Sequence, residues 1–442
     1  MLDLRYRTIL AMALPLMGST FIQSIVLITD SSFLSRYDTV AFDAAGNAGL
    51  IYVTLFMALV GISDGAQILM ARRIGQGKEN LLPRIFGTTL LTNLLFVLVL
   101  FGLIQWVIPD LILSYARHED VALGQIDYIQ IRGYGLFFAL VSMVMNAYFM
   151  AMGKTAFVLI SALITAFSNI GLDYIFIFGE FGIPELGLKG AALASTISDG
   201  IGMVFLAVVL YFSSTQRKHR IYSNLSYNNH SFKEVFRLGT PLVLQGVLAL
   251  STWTVFFIWI EQIGKFELTV SQNIRALYFL AFVPVWGFGA TAKTYVSQYI
   301  GRKEFNEIKT IIRKIQLLTV VFLIIFFHGA VLYPEVMISL VNPDPKYMQE
   351  SVAILRFIFG SVLICGFGSV YFHSINGTGN TRYTFYVEAI TVVLYIIAAY
   401  LLIKIFTVDL FWIWSVEYIY FGAISLFSFI YMRFFNWKKK QI

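Results

Sequence analysis

The sequence predicts an all-α polytopic membrane protein, with twelve transmembrane helices in two pseudo-symmetric six-helix bundles around a central cleft. Three observations carry that expectation. Hydrophobic residues make up 58% of the 442 and charged residues only 13%, about half the charge of an ordinary soluble chain. The apolar residues gather into twelve runs, each of about 20 residues, the length that crosses the hydrocarbon of a bilayer as a helix. The second half of the chain also repeats the first at a constant offset.

The runs lie at 11–33, 48–70, 86–108, 124–150, 156–178 and 190–212, then at 235–260, 274–295, 315–340, 353–375, 385–405 and 410–432. The polar gaps between them leave no room for a soluble domain. The first run is too long for a signal-peptide core and lacks a small-residue cleavage pattern, so it reads as a true first span. Cys365 is the single cysteine, which excludes an internal disulfide and a thiolate metal cluster.

Orientation follows from the 32 Lys and Arg residues. With the N-terminus in the cytoplasm, 22 of them fall inside, among them Arg5, Arg7, Arg72, Arg73, Arg217 and the lysines at 438–440. Six fall outside (Arg36, Arg117, Lys189, Lys265, Lys346 and Lys404), and Arg132, Arg275, Lys293 and Arg356 remain within spans. This is the positive-inside pattern over short loops, and it predicts both termini in the cytoplasm. The short loops and the absence of sorting features suit a multi-pass protein of a bacterial inner membrane. The net charge of +7 then reads as topology and contact with membrane lipids, not as nucleic-acid binding.

The repeat is seen by sliding the chain against itself. Pro15 meets Pro241, Asn47 meets Asn273, Tyr52 meets Tyr278 and Gly61 meets Gly287. Ile74-Gly75 meets Ile300-Gly301, Gly153 meets Gly379 and Thr155 meets Thr381, always 226 residues apart (241 − 15 = 226). An even number of spans in each half makes the copies parallel, a common architecture of secondary transporters. The expected domains are an N-terminal lobe at 1–218, a polar cytoplasmic linker at 219–231 and a C-terminal lobe at 232–442. Pro15 lies inside the first span, where a proline favours a bend. Pro241 falls near the start of the seventh run, where proline is easily tolerated, so the two are not expected to act alike. Gly153-Lys154-Thr155 resembles the tail of a phosphate loop, but it joins two membrane spans and is discarded.

The chemistry is concentrated at Ser168-Asn169-Ile170-Gly171-Leu172-Asp173-Tyr174, inside the fifth run. Asn169 and Asp173 are four residues apart and share one helical face. A carboxylate at that depth costs about 2.5–3.5 kcal/mol, so it is expected to hold an ion, a proton or a cationic partner. Asp30 near the outer end of the first span, and Ser195 and Thr196 in the outer half of the sixth, fall at a similar height. Two carboxylates, an amide carbonyl and a hydroxyl form a hard-oxygen set suited to Na⁺ or to a shared proton. Asp199 is an accessory candidate. At the repeat offset Asp30, Asn169 and Asp173 become Phe256, Tyr395 and Ala399, so the second half lacks this constellation. Asp64, Glu388 and Glu417 read as structural. Arg275 and Lys293, 18 residues apart, share a face near opposite ends of a helix; they either snorkel or line the cleft with positive charge. The five His residues show no metal spacing.

Several stretches resemble the multidrug and toxic compound extrusion (MATE) family of the MOP superfamily. They are Pro15 with Asp30 fifteen residues on, Arg73-Ile74-Gly75-Gln76-Gly77, Ala151-Met152-Gly153-Lys154-Thr155, Asn169-x3-Asp173, then Gly179, Pro184, Gly187 and Gly190-Ala191-Ala192-x-Ala194-Ser195-Thr196. The resemblance covers essentially the whole chain and implies two six-helix lobes, a V-shaped cleft and export driven by Na⁺ or H⁺. It places Asp30, Asn169 and Asp173 at the family's N-lobe cation site, as Na⁺ ligands if the coupling ion is sodium. Ser195 stands where many members carry Thr, with Thr196 adjacent, and Pro15 matches a proline associated with bending of the first helix. The NorM-like branch also uses acids of the seventh and tenth helices, where this chain has Ser251 and Cys365. The chain therefore looks closer to the DinF-like branch.

The expected function is Na⁺- or H⁺-coupled antiport that exports amphipathic drugs or other small organic compounds, by a monomer, without a cofactor. A lipid or lipid-linked oligosaccharide flippase is the alternative within the superfamily. An integral membrane enzyme is the alternative of another class, and no nucleophile or metal set in the sequence supports it.

Overall fold

The computed structural model describes residues 2–115, 119–213 and 218–439. Arg117, Arg217 and Lys440, counted in the charge asymmetry, lie outside the described residues. Among those residues every regular element is helical. Twelve helices are long and apolar enough to cross a membrane: α1 (Tyr6–Tyr37), α2 (Thr39–Gly75), α3 (Glu79–Ser114), α4 (Glu119–Ala151), α5 (Ala156–Phe178) and α6 (Gly187–Phe212), then α7 (Asn229–Ile263), α8 (Lys265–Gly301), α9 (Glu307–Phe327), α10 (Pro345–Gly377), α11 (Thr381–Ile405) and α12 (Leu410–Phe434).

Several helices outrun the apolar run that announced them. The α2 helix has 37 residues, about 55 Å at the helical rise against about 30 Å of hydrocarbon. Its start is fixed by Asp38, whose carboxylate accepts the Ala41 N–H at 3.0 Å and satisfies one of the helix's orphan donors. The ninth run behaves in the opposite way. It is apolar through 340, but α9 ends at Phe327 and the chain continues as two short helices, Gly329–Leu332 and Pro334–Val341. Tyr333 leaves helical geometry (φ −146°, ψ 57°) and Pro334 restarts the helix at its first position, where a missing N–H costs nothing. Hydropathy does not register that interruption.

Packing divides the chain into two units whose borders differ from those of the repeat. Unit 1 is Met1–Met17 with Leu244–Ile442, and unit 2 is Gly18–Val243. The opening of α1 thus belongs with the second half and the opening of α7 with the first. In unit 1 the hydroxyls of Tyr295 and Tyr299 donate to the carbonyls of Asp3 (3.0 Å) and Leu2 (3.2 Å). Lys314 donates to the Leu4 carbonyl at 2.7 Å. In unit 2, Arg73 holds Glu234 at 2.5 Å.

The exchange obeys the repeat. Gly287 lets Met17 close on α8, since a Cβ there would stand 3.2 Å from the Met17 nitrogen, and Gly61 does the same for Val243 on α2 at 2.6 Å. Gly61 pairs with Gly287, and Met17 with Val243, at the same 226-residue offset (287 − 61 = 226). Both helices change unit two residues after a proline, Pro15 in α1 and Pro241 in α7. Pro241 is therefore not a tolerated proline at a helix start. It is interior, because α7 begins at Asn229, well before the apolar run. Substituting Gly61 by Leu is expected to destabilise the protein by about 1–3 kcal/mol or more, since backbone faces the added side chain. Thermal unfolding in detergent checks this, with Gly46→Leu as the control because nothing stands within 4 Å of that position.

Candidate cation site

The candidate residues of the first half lie within unit 2, and small residues decide where they meet. The α5 helix stops at Gly179, which takes a left-handed conformation (φ 75°) and donates its N–H to the Ile175 carbonyl at 3.0 Å. The returning helix α6 then packs close, because a Cβ at Gly190 would stand 2.5 Å from the Phe176 carbonyl oxygen. Small residues at such a seam let two helix backbones approach. The closeness turns the Asn169–Asp173 face of α5 onto α6, and the Asn169 amide donates to the Ser195 hydroxyl at 3.2 Å.

Asp173 is fully buried and Asn169 is 2% exposed. Asp30, on α1, is half-buried, and its carboxyl group lies within hydrogen-bonding reach of Asp173. As two carboxylates neither can donate to the other. Asp30 Oδ1, both Asp173 Oδ atoms and Asn169 Oδ1 are buried oxygens without a donor. A proton between the acids, or a monovalent cation among the four oxygens, would satisfy them. For Na⁺ the oxygens fit in kind, and Asp30, Asn169 and Asp173 would hold it. No group of three or more His, Cys, Asp or Glu side chains that could hold a metal ion occurs among the described residues, so the donor set does not resemble a multi-carboxylate site for a divalent ion.

The two hydroxyls, which the sequence left as equal candidates, separate in the structure. Ser195 meets Asn169. Thr196 is turned toward α4, where it donates to the Ile131 carbonyl at 3.4 Å. Asp199, one turn further along α6, joins the cluster through Arg132: the guanidinium donates to its Oδ2 at 2.9 Å. Arg132 also lies over the Tyr52 ring, 4.5 Å from guanidinium carbon to centroid, and its charge acts on both Asp30 and Asp173. Tyr128, one turn before it on α4, faces all three acids. In the sequence Arg132 is one of four basic residues within the apolar runs, with no role marked out for it. An arginine in an apolar run was itself the signal, but its partner is 67 residues away.

The other candidates lie in unit 1. Pro15 sits within an unbroken α1. Arg275 is exposed and stacks on Phe257 at 4.9 Å, whereas Lys293 is 4% exposed. The two do not line one surface together.

Residues 15–175 and 241–401 match the protein-family model described as MatE, and the two matches are themselves 226 residues apart at both ends (241 − 15 = 226). Over 99% of this chain and 94% of the relative, the sequence is 25% identical to a probable multidrug resistance protein NorM of Thermotoga maritima. A probable multidrug resistance protein YoeA of Bacillus subtilis is 22% identical over 99% of this chain and 95% of its own. Among solved structures, an outward-facing multidrug resistance MATE family transporter of the MOP superfamily superposes with a TM-score of 0.89 at 17% identity, covering 98% of this chain and 96% of that one. A MOP superfamily transporter from Pyrococcus furiosus, whose reversed pocket polarity suggested a different function, gives 0.89 at 18% identity over 98% and 96%.

Proposed function

The chain belongs to the MATE (MatE) family of transporters, and from that premise we propose that it exports amphipathic organic compounds by antiport against Na⁺ or H⁺. It is a multi-pass membrane transporter, not an enzyme. In this reading it works as a monomer in the inner membrane, with both termini in the cytoplasm as the charge asymmetry favours. The relatives named as multidrug resistance proteins support an organic cargo.

The observation that carries the coupling reading is the facing pair Asp30 and Asp173, with four buried oxygens that lack a donor. Such a pair binds a positive charge in one conformation and releases it when the groups part or gain water. An ion drives the cycle only to the extent that its affinity differs between the two states. Ser195 orients the Asn169 amide so that the Asn169 carbonyl oxygen faces away from the hydrogen bond. Arg132 holds Asp199 and supplies a fixed positive charge beside the pair. The absence of acids at Ser251 and Cys365, in α7 and α10, supports coupling through unit 2 and the DinF-like placement.

The test is dye efflux from proteoliposomes under a Na⁺ gradient and, separately, a pH gradient. One gradient is expected to drive efflux at least tenfold faster than the ungraded control. Equal flux with and without both gradients would overturn antiport and move weight to energy-independent or lipid-directed transport.

A further inference from the structure

Unit 1 holds a buried carboxyl group that the cation site leaves unused. At the repeat offset Tyr395 stands where α5 carries Asn169 and Tyr278 where α2 carries Tyr52, while the acids Asp30 and Asp173 are replaced by Phe256 and Ala399. The second half therefore has no acid at those two positions, as the sequence indicates. It has one nearby. The Tyr395 hydroxyl donates to Glu417 Oε1 at 3.1 Å, and Tyr278 reaches the same carboxyl group while sharing a 3.1 Å hydrogen bond with Ser361. The acid comes from α12, one turn before Phe421, which is the counterpart of Ser195 (195 + 226 = 421). A different helix thus supplies a carboxyl group to the two tyrosines that match Asn169 and Tyr52.

The surroundings of Glu417 suit reversible protonation. It is 1% exposed, its Oε2 has no donor, and it forms no ion pair among the described residues. Phe256 packs edge-on against both Tyr395 (5.7 Å) and Trp414 (5.5 Å) and walls the site. The titratable groups that face it are Tyr278 on α8, Cys365 on α10, Tyr395 on α11 and Tyr420 on α12. The neighbouring acid Glu388 is held by the Tyr420 hydroxyl. Among the described residues no basic side chain fixes the charge on Glu417, so none of them locks it in the ionised form. Two phenol hydroxyls can donate to the carboxylate when the proton leaves, so nothing locks it in the neutral form either.

We propose that Glu417 is a proton-exchange site of unit 1, taking up and releasing one proton at Oε2 between its carboxyl and carboxylate forms. The site is distinct from the acid pair of unit 2. The test uses full-length protein in liposomes carrying Asp30→Asn and Asp173→Asn, which removes the other pair and makes the outcome independent of the coupling reading. An alkaline pH jump is expected to release one proton more than in the same protein with Glu417→Gln, and to remove a carboxylic-acid infrared band that Glu417→Gln lacks. Equal proton release and identical spectra would overturn the proposal, since a permanently neutral or permanently charged Glu417 gives that result. If Glu417→Gln fails to assemble, Tyr395→Phe reads the same site: it is expected to displace the pH at which the band is lost by about one unit or more, and an unmoved transition overturns the proposal.

Discussion

Asp173→Asn is expected to abolish gradient-driven efflux, by about a hundredfold or more, without destabilising the protein. The reasoning starts from like charge. Two carboxylates about 4 Å apart at an effective dielectric of about 20 repel by about 4 kcal/mol, equivalent to about a thousandfold preference for binding a positive charge between them. The asparagine is nearly isosteric and neutral, so that preference disappears and the ion has no reason to choose one conformation. Stability is expected to hold or rise, because Asp173 is fully buried and its two oxygens have no donor. Efflux assays, with unfolding temperature and dye affinity measured on the same sample, check the claim. Loss of dye affinity or of the folded state would mean that Asp173 supports the structure or the cargo site. Unchanged efflux would remove the acid pair from the mechanism.

Much of this site was legible in the sequence, and the illegible parts share a cause. The Asn169-x3-Asp173 spacing is local, and a helix of period 3.6 places both residues on one face whatever surrounds them. The repeat was legible because equal offsets survive divergence at most other positions. The choice between Ser195 and Thr196 was not, since adjacent helical residues point about 100° apart and the rotation of α6 depends on its approach to Phe176 at Gly190. Long-range partners escaped for the same reason. Nothing near Arg132 announces Asp199, and nothing near Glu417 announces Tyr395 or Tyr278. The unit borders were hidden too. The loop between the repeats marks where the duplication joins, but packing changes inside α1 and α7, where Gly61 and Gly287 admit Val243 and Met17. The break after Phe327 falls within continuous hydropathy and is set by the Tyr333-Pro334 geometry.

Arg132→Gln is expected to have the second largest effect, and of a different kind from Asp173→Asn. Around the site stand three acids, Asp30, Asp173 and Asp199, and one base. Removing the base leaves Asp199 without its 2.9 Å partner and strips the pair of a neighbouring positive charge. Breaking a buried ion pair on one side costs about 3–5 kcal/mol. The Asp199 side chain is 29% exposed, so water recovers part of that and about 2–3 kcal/mol is expected. The unfolding temperature should fall, and added Na⁺ or lower pH should raise it again, because either supplies the missing positive charge. Adding Asp199→Asn tests the cause through a double-mutant cycle. If Arg132 serves Asp199, the double variant recovers most of the lost stability, and what remains measures the support Arg132 gives to Asp30 and Asp173. A double variant as unstable as the single one would show that the guanidinium does not act through Asp199, and that its charge on Asp30 and Asp173 or its packing on Tyr52 carries the effect. Transport separates the roles further: the stabilised double variant should still move dye, but with a changed dependence on the driving ion, since the charge that sets the affinity of the acid pair is gone.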